Sequence, residues 1–189
     1  RLSSACRSFG VPFYHIGTDY VFDGGAKAPI PEDAVPNPIN EYGKSKLAGE
    51  EAALKDGGCV LRVQWLYGHG KSAFVDRVLN SAADSPIKVV DDCFGIPTFA
   101  EDVAGSKERG LFHGACKGQA SWLDFAEEII AQTGIRRALC PVSSESLGRA
   151  AKRPKYTVLN TKKLEKRCSL RPWQQALGEF LKQAARSAP

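Results

Sequence analysis

Apolar and polar positions alternate along this chain between a strand-like and a helix-like period. Residues 2–9 read as the end of a helix, and residues 11–17 (VPFYHIG), a short apolar run after Gly10, read as a buried strand. Residues 27–40 hold Pro29, Pro31, Pro36 and Pro38 and predict a loop, of a length that is usually functional in a compact domain. A helix is predicted over 42–54, entered after Pro38 and Asn40 and closed by Gly57-Gly58. Residues 59–65 (CVLRVQW) form a second strand. Residues 72–83 form a helix with Ser72 as N-cap and Phe74, Val75, Val78, Leu79 and Ala82 on one face. Residues 87–90 (IKVV) are a short strand. Strands alternating with helices predict an α/β layered fold with a mainly parallel sheet.

After Pro97 the pattern changes. Residues 121–132 predict a helix, opened by a capping-box-like pair, Ser121 and Asp124, and ended by Gly134. A strand is expected over 140–142, an extended basic segment over 151–160, and a last helix from Pro172 with Trp173, Ala176, Leu177, Phe180 and Leu181 as its apolar stripe. The organisation expected is a sheet-rich region over 1–95 and a smaller α+β region over 96–189, partly interleaved with it.

Composition narrows the class. The 189 residues are 43% hydrophobic and 25% charged, ordinary for a globular protein and unlike a disordered, collagenous or coiled-coil chain. No apolar run approaches the ~18 residues of a membrane helix, and no secretory leader precedes the first strand, so a cytoplasmic location is expected. The chain opens on Arg1 and holds no methionine, so it is expected to be less than a whole reading frame. The six cysteines lie at least 23 residues apart and so lack the CxxC spacing of zinc or redox sites; reduced, mostly buried thiols are expected. Net charge is +5, but residues 149–171 carry nine Lys/Arg against one acid, Glu165. Such a stretch can serve a phosphorylated ligand or form a solvated face. With only Tyr156 interleaved it is a poor stacking platform for bases, and nucleic acid is not an expected partner.

Candidate chemistry centres on Tyr42 and Lys46. Four residues apart on a helix, they share a face, and the ammonium stabilises the phenolate left when the phenol protonates a carbonyl oxygen. Thr18 and Asp19 lie just beyond the carboxyl end of the first strand, where open α/β sheets bind ligands, and Trp65 ends the second strand. Tyr67 and Lys71 repeat the spacing across Gly68-His69-Gly70, a poor helix. Gly70-Lys71-Ser72 follows a strand and opens a helix, but a phosphate-binding P-loop needs glycine where Trp65 stands.

The runs 15–24 (HIGTDYVFDG) and 41–50 (EYGKSKLAGE), with 61–68, 89–98, 121–126 and Lys152-Arg153-Pro154, span the chain in order. Together they resemble the dTDP-4-dehydrorhamnose reductases, members of the extended short-chain dehydrogenase/reductases. The resemblance implies a Rossmann-like doubly wound sheet, reduction of dTDP-4-dehydrorhamnose to dTDP-L-rhamnose, and NADPH or NADH as hydride source. It implies Thr18, Tyr42 and Lys46 as catalytic triad: Tyr42 the acid, Lys46 holding the nicotinamide ribose, Thr18 orienting the carbonyl. Thr18, Asp19 and Trp65 match positions that contact the dTDP-sugar. Glu101 aligns with a glutamate that helps bind Mg²⁺ at a dimer interface, which implies a homodimer.

The chain departs from the family in three places. Gly17 replaces the serine of Ser-Thr-Asp; only residues 105–109 fill the space of a longer helix; and the Gly-rich dinucleotide turn is absent from these 189 residues. A Rossmann-like sheet missing its first strands is expected, with an uncovered apolar edge, weak NADPH affinity and a truncated or inactive enzyme. The alternatives are another nucleotide-sugar reductase or epimerase, for which the same triad serves, and a non-catalytic partner resembling the β subunit of methionine adenosyltransferase, which would not need the triad.

Overall fold

The computed structural model describes residues 1–70, 73–82, 85–104 and 109–187. Lys71 and Ser72 of the P-loop-like run, and with Lys71 one member of the Tyr67–Lys71 pair, the expected helix limits at Ser72 and Ala83, and most of the shortened 105–109 segment lie outside the described residues.

In chain order the elements are α1 (Leu2–Ser8), β1 (Tyr14–Thr18), α2 (Glu41–Lys55), β2 (Cys59–Val63), β3 (Leu66–Tyr67), α3 (Ala73–Asn80), β4 (Ile87–Val90), β5 (Phe94–Gly95), β6 (Thr98–Phe99), α4 (Ala100–Ala104), β7 (Gly110–Gly114), β8 (Ala120–Ser121), α5 (Trp122–Thr133), β9 (Leu139–Val142), α6 (Lys162–Glu165) and α7 (Trp173–Ser187). The expected strands and helices are present with ends shifted by a few residues. Strand β7 and the two-residue strands lay below what periodicity detects.

Strands β1, β2 and β7 form a parallel sheet in that order, with Thr18, Val63 and Gly114 aligned at its carboxyl rim. Helix α2 is the crossover from β1 to β2, as a parallel pair requires. Short pairs extend the α/β layering: β3 with β6 and β4 with β9, both parallel, and β5 with β8, antiparallel. The boundary expected near residue 95 is crossed in both directions. Strand β7 joins the sheet of β1 and β2, while β4 and β5 pair with strands from beyond residue 96.

The main core lies under the later helices, where Val75 and Val78 of α3, Phe125, Ala126 and Ile129 of α5, and Trp173, Ala176, Leu177 and Phe180 of α7 meet Ile96 and Phe99. Burying one such side chain contributes about 1.5–3 kcal/mol. Ser121 and Asp124 close a full capping box on α5, and Gly134 ends it at φ 70°, a left-handed conformation suited to glycine. The six cysteines form no disulfide; Cys59, Cys93 and Cys116 are buried.

The first sheet is covered differently. Strand β2 is buried at all five positions, but β1 is the outer strand, with Tyr14 and Ile16 about half exposed. Leu2, Phe9 and Val11 before it are exposed as well, so an apolar edge stands open. Among the described residues no helix is long and apolar enough to cross a membrane.

The proline-rich loop has little regular structure yet is pinned. Ile30 N donates to Val158 O (2.8 Å), Asn160 N donates to Ile30 O (2.8 Å), and Asn37 N donates to Val21 O (2.8 Å). The basic segment thereby threads beside the sheet rim, bridging to Gly25, Ile30 and Phe94.

Candidate active site at the carboxyl rim of the sheet

Helix α2 starts at Asn40, whose side-chain oxygen accepts from Gly43 N (2.8 Å) while its amide donates to Lys152 O (2.9 Å). Two glycines let α2 approach the sheet. A Cβ on Gly43 would lie 2.2 Å from Tyr20 O, and one on Gly49 would lie 2.9 Å from the His15 ring. This close approach brings Lys46 and Tyr42 against residues that flank Thr18 in the sequence. The Lys46 ammonium donates to Ile16 O, two residues before Thr18. The Tyr42 ring meets the Tyr20 ring edge-on at 5.6 Å, two residues after it. Tyr42 is 54% exposed, so its side chain is open to solvent rather than packed in the core. Thr18 itself is buried and caps the 3-10 turn Asp19–Val21, its hydroxyl oxygen accepting from Tyr20 N (3.3 Å).

Asp19 is enclosed. It is 3% exposed, its Oδ1 accepts from the Thr18 hydroxyl (3.2 Å), and its Oδ2 accepts from Gln64 Nε2 (2.9 Å) and Thr157 Oγ1 (2.6 Å). Burial pushes its carboxyl up to about 6, against the pull of those three hydrogen bonds. Spacing alone did not single out Gln64 or Thr157. The signal for Gln64 was its place beyond Arg62 in a strand that otherwise reads as fully buried, since a polar residue there needs a partner.

Trp65 stands at the same rim in a left-handed conformation (φ 43°), sparsely populated for a bulky residue. Its ring stacks on Trp122 at 3.8 Å, and a Cβ on Gly95 would lie 2.6 Å from it. Trp65 and Trp122, with Tyr20, Arg149 and Arg153, line a gap of about 10 Å³. Beside it opens a cleft of about 570 Å³ lined by Arg149, Lys152, Arg153 and Lys155 among others. Lys155 pairs with Asp92 and Glu145, both at 3.1 Å, whereas among the described residues Arg149, Lys152 and Arg153 make no ion pair. Burial and the neighbouring Arg153 pull the Arg149 guanidinium below its usual range, an environment that favours an anion.

Glu101 stands apart. Its carboxylate lies 3.5 Å from His69 Nε2, and among the described residues no three His, Cys, Asp or Glu side chains of this chain group to hold a metal. The Mg²⁺ expected at Glu101 between two copies finds no further ligands within the described residues of one chain.

The departure at Gly17 has a structural reason. A Cβ there would lie 2.4 Å from Glu50 Oε1 and 3.1 Å from Arg62 Cγ. Those two residues form a buried pair, Arg62 Nε donating to Glu50 Oε2 (2.9 Å), with Arg62 also over the Phe22 ring and 3.4 Å from His113 Nε2.

The chain is 37% identical over 186 residues to a spore coat polysaccharide biosynthesis protein of Bacillus subtilis, covering 92% of this chain and 65% of that protein. It is 35% identical over 199 residues to a dTDP-4-dehydrorhamnose reductase of Streptomyces griseus, covering 95% and 65%. A crystal structure of a Clostridium acetobutylicum dTDP-4-dehydrorhamnose reductase superposes with TM-score 0.90 at 39% identity, covering 97% of this chain and 70% of that one. A Bacillus anthracis dTDP-4-dehydrorhamnose reductase in complex with NADP superposes with TM-score 0.89 at 31% identity, covering 96% and 69%. The chain thus spans about 65% of the length of these two curated relatives. The family model described as the RmlD substrate binding domain matches residues 1–186, and with the reductase relatives it shows that this chain belongs to the dTDP-4-dehydrorhamnose reductase family.

Proposed function

We propose that this chain carries the proton-donating and sugar-binding part of a nicotinamide-dependent reductase that converts the 4-keto group of dTDP-4-dehydrorhamnose to the alcohol of dTDP-L-rhamnose. The observation that carries the reading is the bracketing of Thr18, with Lys46 anchored two residues before it and Tyr42 two residues after it. The alignment with reductases over the same residues supports it.

A reduced nicotinamide supplies the hydride in such a reaction. The residues present fit its ribose end: the Lys46 ammonium and the half-exposed Tyr42 phenol stand on the open side of α2. Tyr42 gives its proton to the ketone oxygen as negative charge develops there, and Lys46, one helical turn on, stabilises the phenolate left behind. Thr18 orients the carbonyl. The substrate's diphosphate has a matching surface in the basic cleft, where Arg149, Lys152 and Arg153, which form no ion pair among the described residues, stand with Asp23 and Glu145 in the same lining. Trp65, stacked on Trp122, stands at the same rim.

Tyr42→Phe keeps the exposed ring and removes the proton. In a version of the protein that also carries the Gly-rich dinucleotide turn, given reduced nicotinamide and dTDP-4-dehydrorhamnose, turnover is expected to fall by about 10²–10⁴-fold while thermal stability stays near native. Unchanged turnover in this variant would remove Tyr42 from the acid role.

A further inference from the structure

Trp65 carries a backbone strain that its place in the chain does not require. Among the described residues it is the only one besides glycine with a positive φ, at 43°. The kink lies where the chain leaves β2 for β3. On one side Gln64 Nε2 donates to Asp19 Oδ2 (2.9 Å) and Thr157 Oγ1 (2.7 Å); on the other Leu66 pairs with Thr98, whose N–H donates to Trp65 O (3.2 Å). Glycine or asparagine would make such a turn with less strain. A tryptophan there means that the indole itself is kept at this spot, and its ring is only partly buried, so core packing alone does not account for it. We propose that Trp122 and Gly95 are positioning residues that fix the Trp65 indole at the sheet rim for contact with the sugar nucleotide. This rests on the sugar-binding reading above.

Gly95 supplies the room. Its backbone is not left-handed, so no conformational demand selects glycine there. A Cβ at that position would lie 2.6 Å from Trp65 Cε2, 2.8 Å from Trp65 Cζ2 and 2.9 Å from Gln64 Nε2. The missing side chain is the space that the indole fills. Trp122 supplies the stack, its ring 3.8 Å from that of Trp65 and 18° from parallel. The Phe74 ring packs on Trp122 in turn, at 4.6 Å. Trp122 is the first residue of α5, directly after the capping-box serine, and the strand pairing sets Gly95 opposite Ala120 and Phe94 opposite Ser121. The two positioning residues therefore belong to one hydrogen-bonded unit, β5 with β8 and the start of α5.

What this unit holds borders the ligand surface. Trp65 and Trp122 line their gap together with Tyr20, Arg149 and Arg153, and the same two arginines line the larger basic cleft. An indole beside guanidinium groups suits a ligand that is anionic at one end and a ring at the other, as a sugar nucleotide is. The gap itself, about 10 Å³, holds no more than a water, so the ligand meets Trp65 where the indole stays open to solvent. An indole free to swing would lose that contact through the entropy of ordering it at each binding event; the stack on Trp122 orders it beforehand.

Two measurements test the proposal. The first follows NMR relaxation of the indole N–H groups, of which the chain has three, in the native protein, in Trp122→Leu and in Trp122→Phe. Trp122→Leu keeps apolar volume for the fold but no flat ring. It is expected to loosen the Trp65 indole, and Trp122→Phe to restore its rigidity. A Trp65 indole as rigid in Trp122→Leu as in the native chain would overturn the proposal. The second measures binding of dTDP-L-rhamnose by calorimetry. Trp65→Ala and Trp122→Leu are each expected to weaken it by about tenfold, and the double variant by no more than either alone, because Trp122 acts only through Trp65. Trp122→Phe is expected to recover most of the affinity. Losses that add in the double variant, or native affinity in Trp122→Leu, count against the proposal. Absence of dTDP-L-rhamnose binding by the native chain would sink the sugar-binding reading instead, leaving the indole relaxation to decide whether Trp122 positions Trp65.

Discussion

Two buried polar clusters sit within a few residues of each other in this fold, and they are built on opposite principles. At the rim, Asp19, Gln64, Thr157 and Thr18 surround a carboxyl with neutral donors and give it no cation. Inside the layer, Glu50 and Arg62 are 1% and 3% exposed and neutralise each other, with His113 and Phe22 closing the guanidinium's other sides. Burial pushes the Glu50 carboxyl up, but Arg62 opposes that shift directly. The rim cluster is thus left sensitive to protons at the carboxyl end of the sheet. The interior one is opposed by a cation. Desolvation acts on both carboxyls; the presence of a cation separates them.

The comparison is sharpened most by His113. Burial first, and Arg62 second, depress its imidazole from 6.5 to about 3. Both folded and unfolded forms are neutral at pH 7, so its contribution is complete there. As pH falls from 6.5 toward 3 the unfolded ring takes a proton that the folded ring refuses, and up to about 5 kcal/mol of stability is lost. Urea unfolding at pH 7 and about pH 4.5 is expected to show a clearly smaller acid loss in His113→Gln than in the native chain. Equal losses would mean that the interior cluster is not acid-sensitive through this ring.

Arg62→Leu breaks the interior pair outright. It strands Glu50 as a buried carboxylate and is expected to destabilise by about 3–5 kcal/mol in denaturant unfolding. Adding Glu50→Leu should recover most of that loss. A mild Arg62→Leu effect would show that the pair is not the structural counterpart of the rim cluster.

The rim behaves in the reverse sense to His113. The folded Asp19 carboxyl holds its proton up to about 6, above the ordinary value of 3.8. Between those values the folded state is protonated and the unfolded state is not, so stability falls as pH rises, by about 3 kcal/mol once pH exceeds 6. Asp19→Asn is therefore expected to gain on the native chain at pH 8 and to lose that advantage by about pH 4. A gain independent of pH would point to packing instead of ionisation.

Much of this architecture was legible because its signals are local. The capping box at Ser121 and Asp124, the left-handed Gly134 and the apolar stripe of α7 each follow from a few adjacent residues. The Tyr42–Lys46 spacing likewise needed only a helix. The two polar clusters were not legible, because Asp19 meets Thr157 across 138 positions and Arg62 meets His113 across 51. Arg62 and Gln64 are polar residues in and just after a strand whose other positions are apolar, and the sequence names no partner for either. Asp19, read from the strand-end rule as a ligand contact, has its carboxylate inside the protein, since that rule places a residue at the rim but not the direction of its side chain.

By itself the order of residues determined the alternation of strands and helices, the position of Thr18 at a strand end and the common face of Tyr42 and Lys46. These depend on backbone periodicity and on neighbours one turn away. The tertiary structure alone decided that Gly17 makes room for a buried ion pair, that the basic segment delivers Thr157 to Asp19, and that Trp65 lies on Trp122. Those outcomes depend on which distant surfaces exclude water from one another, and desolvation is a property of the folded packing that no local pattern encodes.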